Sequence, residues 1–424
     1  ALFALAFLSC ALSLNAQENE GVIPITTGIV PDEVIQPEKE PEKPKFPTFK
    51  LTGFFHLDGA RFSQDDLNRA TVGDIQDGLA FRRARIAVTG KVSETVKYIM
   101  ELDFSNTQPL FVDMWLDFAE IPILGNVRIG RWRQPFGMTE LTSIRNLPFL
   151  ERPLPFALSP FRQTGIGFYN HAKNERATWA LSAYRHLSDF FGNVVGDNGG
   201  YGLAGRATFL PIDRGENRVL HVGGGYTYND PAMDQLLFFS PPEVFIAQSL
   251  GGFNAAPFVG TPFFVDTGFF AAHHYHAFNF EAASGHGPFL LQSELRFATV
   301  KPVGQAAVTF PAFYAHARYM LTGETIPYNR KRGVFSVVIP NQKAGCCGGI
   351  GAWESAARYS FIDLNGLCGC TGPGRELHSM TLGLSWYVNQ YVKFQMNYIR
   401  AHLNDWMLGR SNADIFAFRT QLSY

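Results

Sequence analysis

An all-β chain closing into a sixteen-stranded antiparallel transmembrane β-barrel is the fold class this sequence predicts, on three observations. Phe416, Phe418, Thr420, Leu422 and Tyr424 alternate with Ala417, Arg419, Gln421 and Ser423, and the chain ends on that aromatic. One side of such a strand suits lipid and the other water, and a barrel needs a strand of this kind to close its sheet at an aromatic girdle. No apolar run reaches the roughly 20 residues of a spanning helix. Amphipathic segments of about ten residues recur instead, joined alternately by short and longer links.

Composition excludes little, since 46% hydrophobic and 17% charged residues would also suit an ordinary soluble enzyme. Residues 1–16 read as a truncated signal peptide, with an apolar core running to Leu14 and small Ala16 before Gln17. Cys10 does not fit a lipoprotein signal, because Phe7 and Leu8 precede Ser9. Residues 17–47 are rich in Pro, Glu and Lys and read as a flexible periplasmic tether, because proline denies backbone donors and the charges stay hydrated. The barrel is assigned to 48–424, which carries a positive excess of three once the acidic tether is set aside.

The predicted strands are 49–61, 81–90, 97–105, 111–119, 127–133, 163–170, 177–186, 201–210, 218–228, 271–283, 288–298, 312–321, 352–361, 379–388, 392–401 and 412–424. Parity supports the count. With both ends in the periplasm, links 62–80, 134–162, 187–200, 229–270, 299–311, 362–378 and 402–411 are external and mostly long, and only external 106–110 is short. The periplasmic links are mostly short. A soluble all-β chain has no reason to sort its loops by length onto one end.

Alternation assigns the faces, because a one-residue slip would turn every lipid-facing side chain inward. Trp353, Ala357, Tyr359 and Phe361 face lipid and leave Glu354 and Arg358 inside; Met380, Leu382, Leu384 and Trp386 oppose Ser379, Thr381, Ser385 and Tyr387. Phe289, Leu291, Leu295 and Phe297 oppose Gln292, Glu294 and Arg296. Arg83 and Arg85 share an inward face, while Arg82 is expected nearer a rim. A polar interior at this strand number implies a water-filled channel.

Two links stand out. The periplasmic link 322–351 is far longer than its place requires and carries Asn329, Arg330, Lys331 and Arg332, so it is expected to fold into the pore. The external loop 134–162 holds Arg145, Arg152 and Arg162 and no lysine. Arginine outnumbers lysine 25 to 11 in the chain, and the guanidinium fork matches oxyanions bidentately where lysine gives only a point charge.

Several segments together resemble the phosphate-selective porin O and P family: Phe81-Arg-Arg-Ala-Arg85, Gly130-Arg-Trp-Arg-Gln-Pro-Phe-Gly137, Glu140-Leu-Thr-Ser143, Phe149-Leu-Glu-Arg-Pro153, Leu321-Thr-Gly-Glu324, Tyr328-Asn-Arg-Lys-Arg-Gly333 and Gly351-Ala-Trp-Glu354 followed by Ala357-Arg-Tyr359. The likeness spans 49–424 in order. It implies an outer-membrane homotrimer of sixteen-stranded barrels whose constriction is built from inward-folded segments. It further implies that Ser143 and Arg152 line the narrow site, with Asp113 opposite. Ile144 and Glu140 depart from the pattern, standing where phosphate-specific members carry a second serine and a lysine, so anion conduction is expected rather than strict phosphate specificity.

The resulting expectation is a diffusion channel preferring anions, phosphate-like small oxyanions among them, with Arg83, Arg85, Arg145, Arg152, Ser143, Asp113, Arg330, Lys331 and Arg332 along the path. A weakly selective general porin or sugar channel is the alternative, kept open by Glu101, Asp103, Asp113 and Asp117 on inward faces. A structural barrel with a closed lumen is the third class. Catalysis is not expected: His273, His274 and His276 look ligand-like, but no Glu stands at a spacing suited to a catalytic metal, and no nucleophile-elbow or phosphate-cradling motif occurs. No cofactor, metal or nucleic acid is implied. Cys346-Cys347 and Cys368-Gly-Cys370 are expected as disulfides in an oxidising compartment. The two pairs should not cross-link, because one strand separates them; a four-thiolate zinc site is the alternative, disfavoured by the pair spacing.

Overall fold

Sixteen strands form where the alternation places them. In the computed structural model, which describes residues 45–424 apart from 106–107, 187–188, 190, 194, 216–217, 250–257, 346–347 and 368–371, they are β1 (Thr48–Gln64), β2 (Gly78–Lys91), β3 (Val96–Asp103), β4 (Leu110–Ile121), β5 (Gly125–Arg133), β6 (Arg162–His171), β7 (Ala177–Arg185) and β8 (Tyr201–Asp213). The second half comprises β9 (Arg218–Asp230), β10 (Phe270–His286), β11 (Phe289–Pro302), β12 (Val308–Met320), β13 (Ala352–Asp363), β14 (Glu376–Tyr387), β15 (Val392–Asp405) and β16 (Gly409–Ser423). Each pairs antiparallel with the next, and β16 closes on β1 from Phe54↔Ser423 to Gln64↔Ala413. Closure leaves no open edge, the condition for strands to cross a bilayer in which unpaired backbone groups cost several kcal/mol each. The signal-peptide reading of 1–16, the tether reading of 17–47 up to residue 44, and the cysteine pairings lie outside the described residues.

Thr48 and Ser423 share one end of the barrel, here the terminal end; the other is the loop end. Links at the terminal end are short except 321–351. Those at the loop end include 65–77, 134–161, 186–200, 231–269 and 364–375, as parity requires. Two external links expected to be long are instead short turns, 303–307 and 406–408. The strands beside them run on past the lipid level, and there the pattern inverts. On β15, Ile399, Ala401 and Leu403 are buried inside while Arg400, His402 and Asn404 face outward; on β10, Ala272, Tyr275 and Ala277 are buried inside while His274 and His276 face outward. That is the water-facing pattern of a soluble sheet, so these strands stand above the membrane as a wall. Lower down, Leu382 is 59% exposed on the outside and its neighbour Thr381 1% on the inside, the lipid-facing pattern.

The interior is packed on one side. Inward apolar residues of β10–β16 join Phe136, Leu150, Leu154 and Leu158 of the loop after β5, and Phe238, Val244, Phe264 and Val265 of the loop after β9, in one cluster. A second cluster at the terminal end packs Ile326, Tyr328, Val334, Phe335 and Val338 of the 321–351 link on Leu210, Val219, Leu290 and Met320 of the wall. Each fully buried Leu or Phe contributes about 1.5–3 kcal/mol, so these inward segments are fixed parts of the structure. The expectation of an evenly polar interior therefore holds only for the side these segments leave open.

Candidate functional site

The loop 134–161 crosses the lumen and is tied along its length to the far wall. Its short helix α1 (Met138–Leu141) starts on two wall carboxylates, with the Met138 amide donating to Glu281 Oε2 and the Thr139 amide to Glu294 Oε1, both at 2.6 Å. Helix-start amides have no partner within the helix and seek such negative ones. Further along, Lys393 Nζ donates to the Arg145 carbonyl at 2.8 Å and the Leu147 carbonyl at 3.1 Å, and Arg358 donates to the Glu151 carbonyl at 3.0 Å. Two glycines make the close approach possible: a Cβ at Gly225 would lie 1.9 Å from the Phe136 carbonyl oxygen, and one at Gly137 would lie 2.5 Å from Arg296 Nη2. Gly225→Leu is therefore expected to lift the Phe136–Met138 stretch off the wall and raise single-channel conductance, read in planar bilayers beside the unchanged protein.

Glu151 is the hub of this anchoring. It pairs with Arg82 at 3.0 Å, Arg83 at 2.9 Å and Arg419 at 3.3 Å, and Arg419 also pairs with Asp58 at 2.6 Å. Burial alone would raise the Glu151 carboxyl, but the three guanidinium groups hold it well below the usual carboxylate range. Arg82, expected near a rim, reaches inward because the β1–β2 register slips between His56 and Leu57 and leaves Arg82 as the extra residue.

Two other segments enter the lumen. Glu243, from the loop after β9, is fully buried and receives Arg358 at 2.6 Å, Thr381 at 2.8 Å and Ser360. The 321–351 link is held by Arg206, which donates to the Gly333 carbonyl at 2.7 Å, and by Tyr328, whose hydroxyl meets His221 Nδ1 at 2.6 Å.

What remains open is a cavity of about 560 Å³ between these inserts and the β2–β8 wall. Nine basic side chains line it, Arg85, Lys97, Arg128, Arg133, Arg145, Arg162, Arg206, Lys331 and Arg332, against the three carboxylates Glu101, Asp113 and Asp117. Six of the nine have a carboxylate partner: Arg85–Asp103 at 2.7 Å, Arg128–Asp117 at 2.7 Å, Arg133–Glu140 at 3.5 Å, Arg162–Asp113 at 2.8 Å, Arg206–Glu281 at 2.6 Å and Lys331–Glu175 at 3.4 Å. Among the described residues, none lies within ion-pair reach of Lys97, Arg145 or Arg332. Arg145 instead stands 5.5 Å from the Phe54 ring centroid.

The chain that builds this barrel and its partly unpaired basic lining matches, over residues 49–424, the family described as phosphate-selective porin O and P. The chain belongs to that family. It is an outer-membrane porin, 28% identical over 407 residues to Porin O of Pseudomonas aeruginosa, covering 89% of this chain and 88% of that one. An uncharacterized protein of Caulobacter vibrioides is 26% identical over 368 residues, 83% of this chain and 68% of its own. Among solved structures, the anion-selective porin from Comamonas acidovorans superposes with a TM-score of 0.55 at 12% identity, over 89% of this chain and 99% of that one. OprB of Pseudomonas putida gives 0.53 at 10%, over 89% and 94%.

Of the residues expected along the path of this porin, Arg85, Ser143, Arg145, Asp113, Lys331 and Arg332 line this cavity, although they come from four separate segments. Arg83, Arg152 and Arg330 do not. Arg83 is bound to Glu151, and Arg330 pairs with Asp213 at 2.7 Å. Arg152 is buried and donates to the Thr139 carbonyl at 2.8 Å and to the Thr142 carbonyl, holding the end of α1. Glu140, one of the two departures from the family pattern, is fully buried beside Arg133 and is absent from the lining. Arg152→Gln is accordingly expected to leave the reversal potential unchanged while loosening the loop, seen as added open-channel current noise.

Sequence reasoning missed Glu151, Glu243, Lys97 and Arg128. The aromatic richness of 229–270 was a usable signal for Glu243, since so apolar a loop needs burial. Nothing local marked Glu151, whose partners lie on β2 and β16.

Proposed function

We propose that this porin conducts anions in preference to cations and accepts phosphate-like small oxyanions. The observation that carries the reading is the trio of unpaired basic side chains, Lys97, Arg145 and Arg332, contributed to one passage by β3, the loop and the link. Fixed charge in a narrow passage with low-dielectric walls acts through focused fields, which raises the local concentration of the opposite ion. Guanidinium groups add bidentate geometry for tetrahedral oxyanions. The carboxylates that kept a sugar-channel reading open, Asp113 and Asp117 above all, are engaged with arginines and so present little free negative charge. Catalysis has no part in this reading.

The sign of the reversal potential in a planar bilayer under a potassium chloride gradient tests it. Anion preference, with phosphate reducing the chloride current in competition, is the expected result, and cation preference in the unmodified protein would overturn it.

The same reading includes assembly as a homotrimer through the low β2–β4 side. There Leu79, Phe81, Met100 and Phe104 keep the outer face apolar up to the loop end, without the polar wall seen on β10 and β15. One structural neighbour, OmpT of Vibrio cholerae, was solved in a trimer form, at a TM-score of 0.51 and 10% identity. Native mass measurement in detergent, with Phe81→Glu as the perturbing variant, checks it.

A further inference from the structure

On the outer face of β10, above the apolar band, two histidines two residues apart point the same way. The ring centroids of His274 and His276 lie 5.3 Å apart with planes at 84°. This level is in water, because Lys301 pairs with His274 and Thr299 with His276 across β10–β11, and the inward neighbours Tyr275 and Ala277 are buried. Tyr226 Oη meets His276 Nδ1 at 2.7 Å. The tautomer in which Nδ1–H donates to the phenol oxygen leaves the Nε2 lone pair open, the arrangement that orients a histidine ligand. Tyr228 packs against both rings, at 5.9 Å from His274 and 5.2 Å from His276.

We infer that His274 and His276 form a two-imidazole site for a divalent transition ion of the zinc type at the outer rim of the barrel. The spacing is the argument. Imidazole nitrogens sit about 2.0–2.1 Å from Zn²⁺, so two ring centres on one ion at a tetrahedral angle lie about 5.2 Å apart. The observed separation needs almost no rearrangement. A strand places residues i and i+2 on one face, and the packed tyrosines keep the rings from scattering. Among the described residues no three His, Cys, Asp or Glu side chains converge as a complete cage, so water fills the remaining positions. Of the nearby charges, Lys301 is turned to the Gln305 carbonyl at 2.8 Å. His273, the extra residue at the register slip beside His274, faces Asp234 at 4.0 Å and stands outside the pair.

The site is independent of ion conduction and is tested without it. Full-length porin in detergent is titrated with Zn²⁺ alone by calorimetry at pH 7.5, in parallel with His274→Gln, His276→Gln, Tyr226→Phe and His273→Gln, each checked for the folded barrel by circular dichroism. The cysteines are common to all and cancel in the comparison. Loss of one Zn²⁺ per chain in either pair variant is expected, with about tenfold weaker binding in Tyr226→Phe and none lost in His273→Gln. Unchanged stoichiometry and affinity in both pair variants, or loss only in His273→Gln, would overturn the assignment.

Discussion

Replacing Lys97, Arg145 and Arg332 together with glutamate is expected to turn the porin from anion-preferring to cation-preferring, read as a change in sign of the reversal potential under a salt gradient. The other six basic residues of the lining are compensated by carboxylates, so these three supply the uncompensated charge of the passage, which the substitution reverses. A unit charge 4 Å from a passing ion is worth about 1 kcal/mol in bulk water and about 4 kcal/mol at the dielectric of a protein surface. Three reversals at that scale outweigh the modest differences in ion hydration and mobility that separate potassium from chloride. The matching reversal of a paired residue, Arg330→Glu, removes an ion pair with Asp213 away from the passage and should move the potential far less. An equal shift from both substitutions would mean that net charge of the whole barrel, and not the lining, sets selectivity.

Glu151→Gln is expected to have the largest structural effect. It leaves Arg82, Arg83 and Arg419 without their common carboxylate, and among the described residues only Arg419 keeps another in Asp58. Removing one partner from a buried ion pair costs about 3–5 kcal/mol, because a charge remains buried and uncompensated. The loop should loosen at its centre, with higher and noisier conductance and a lower thermal midpoint. Glu175→Gln, which breaks the solvent-exposed pair with Lys331, should change stability by no more than about 1 kcal/mol. The pH dependence follows in sign: a carboxyl held low in the folded state contributes stability above its unfolded pKa and loses it as pH falls through the folded value. Conductance should thus stay constant on acidification past the ordinary Glu pKa of about 4.3, the latch failing only well below it.

How much of this was legible in the chain can be judged from particular residues. Thr381 against Leu382, or Arg358 against Tyr359, are sorted inside and outside by period two alone, because the pleat allows nothing else. All sixteen strands follow from that rule, and the extra length of 322–351 together with the arginines of 134–162 was enough to point both segments inward. The paired fates of the arginines were not legible. Arg145 and Arg152 stand seven residues apart in one loop, yet one faces the passage and the other holds the Thr139 and Thr142 carbonyls.

Alternation by itself pointed to the barrel and to the inward face of each strand away from the register slips, since these follow from neighbours in sequence and from the difference between lipid and water. Which inward residues meet water was decided by tertiary structure alone. Ile399 and Arg128 both point into the lumen, but the loops cover the wall around Ile399 and leave the wall around Arg128 open. That choice depends on Glu151, Glu243 and Glu281 meeting arginines 68, 115 and 75 positions away, and on glycines whose missing Cβ admits the loop. Contacts at such separations are fixed by the geometry of the closed sheet, which no local pattern encodes.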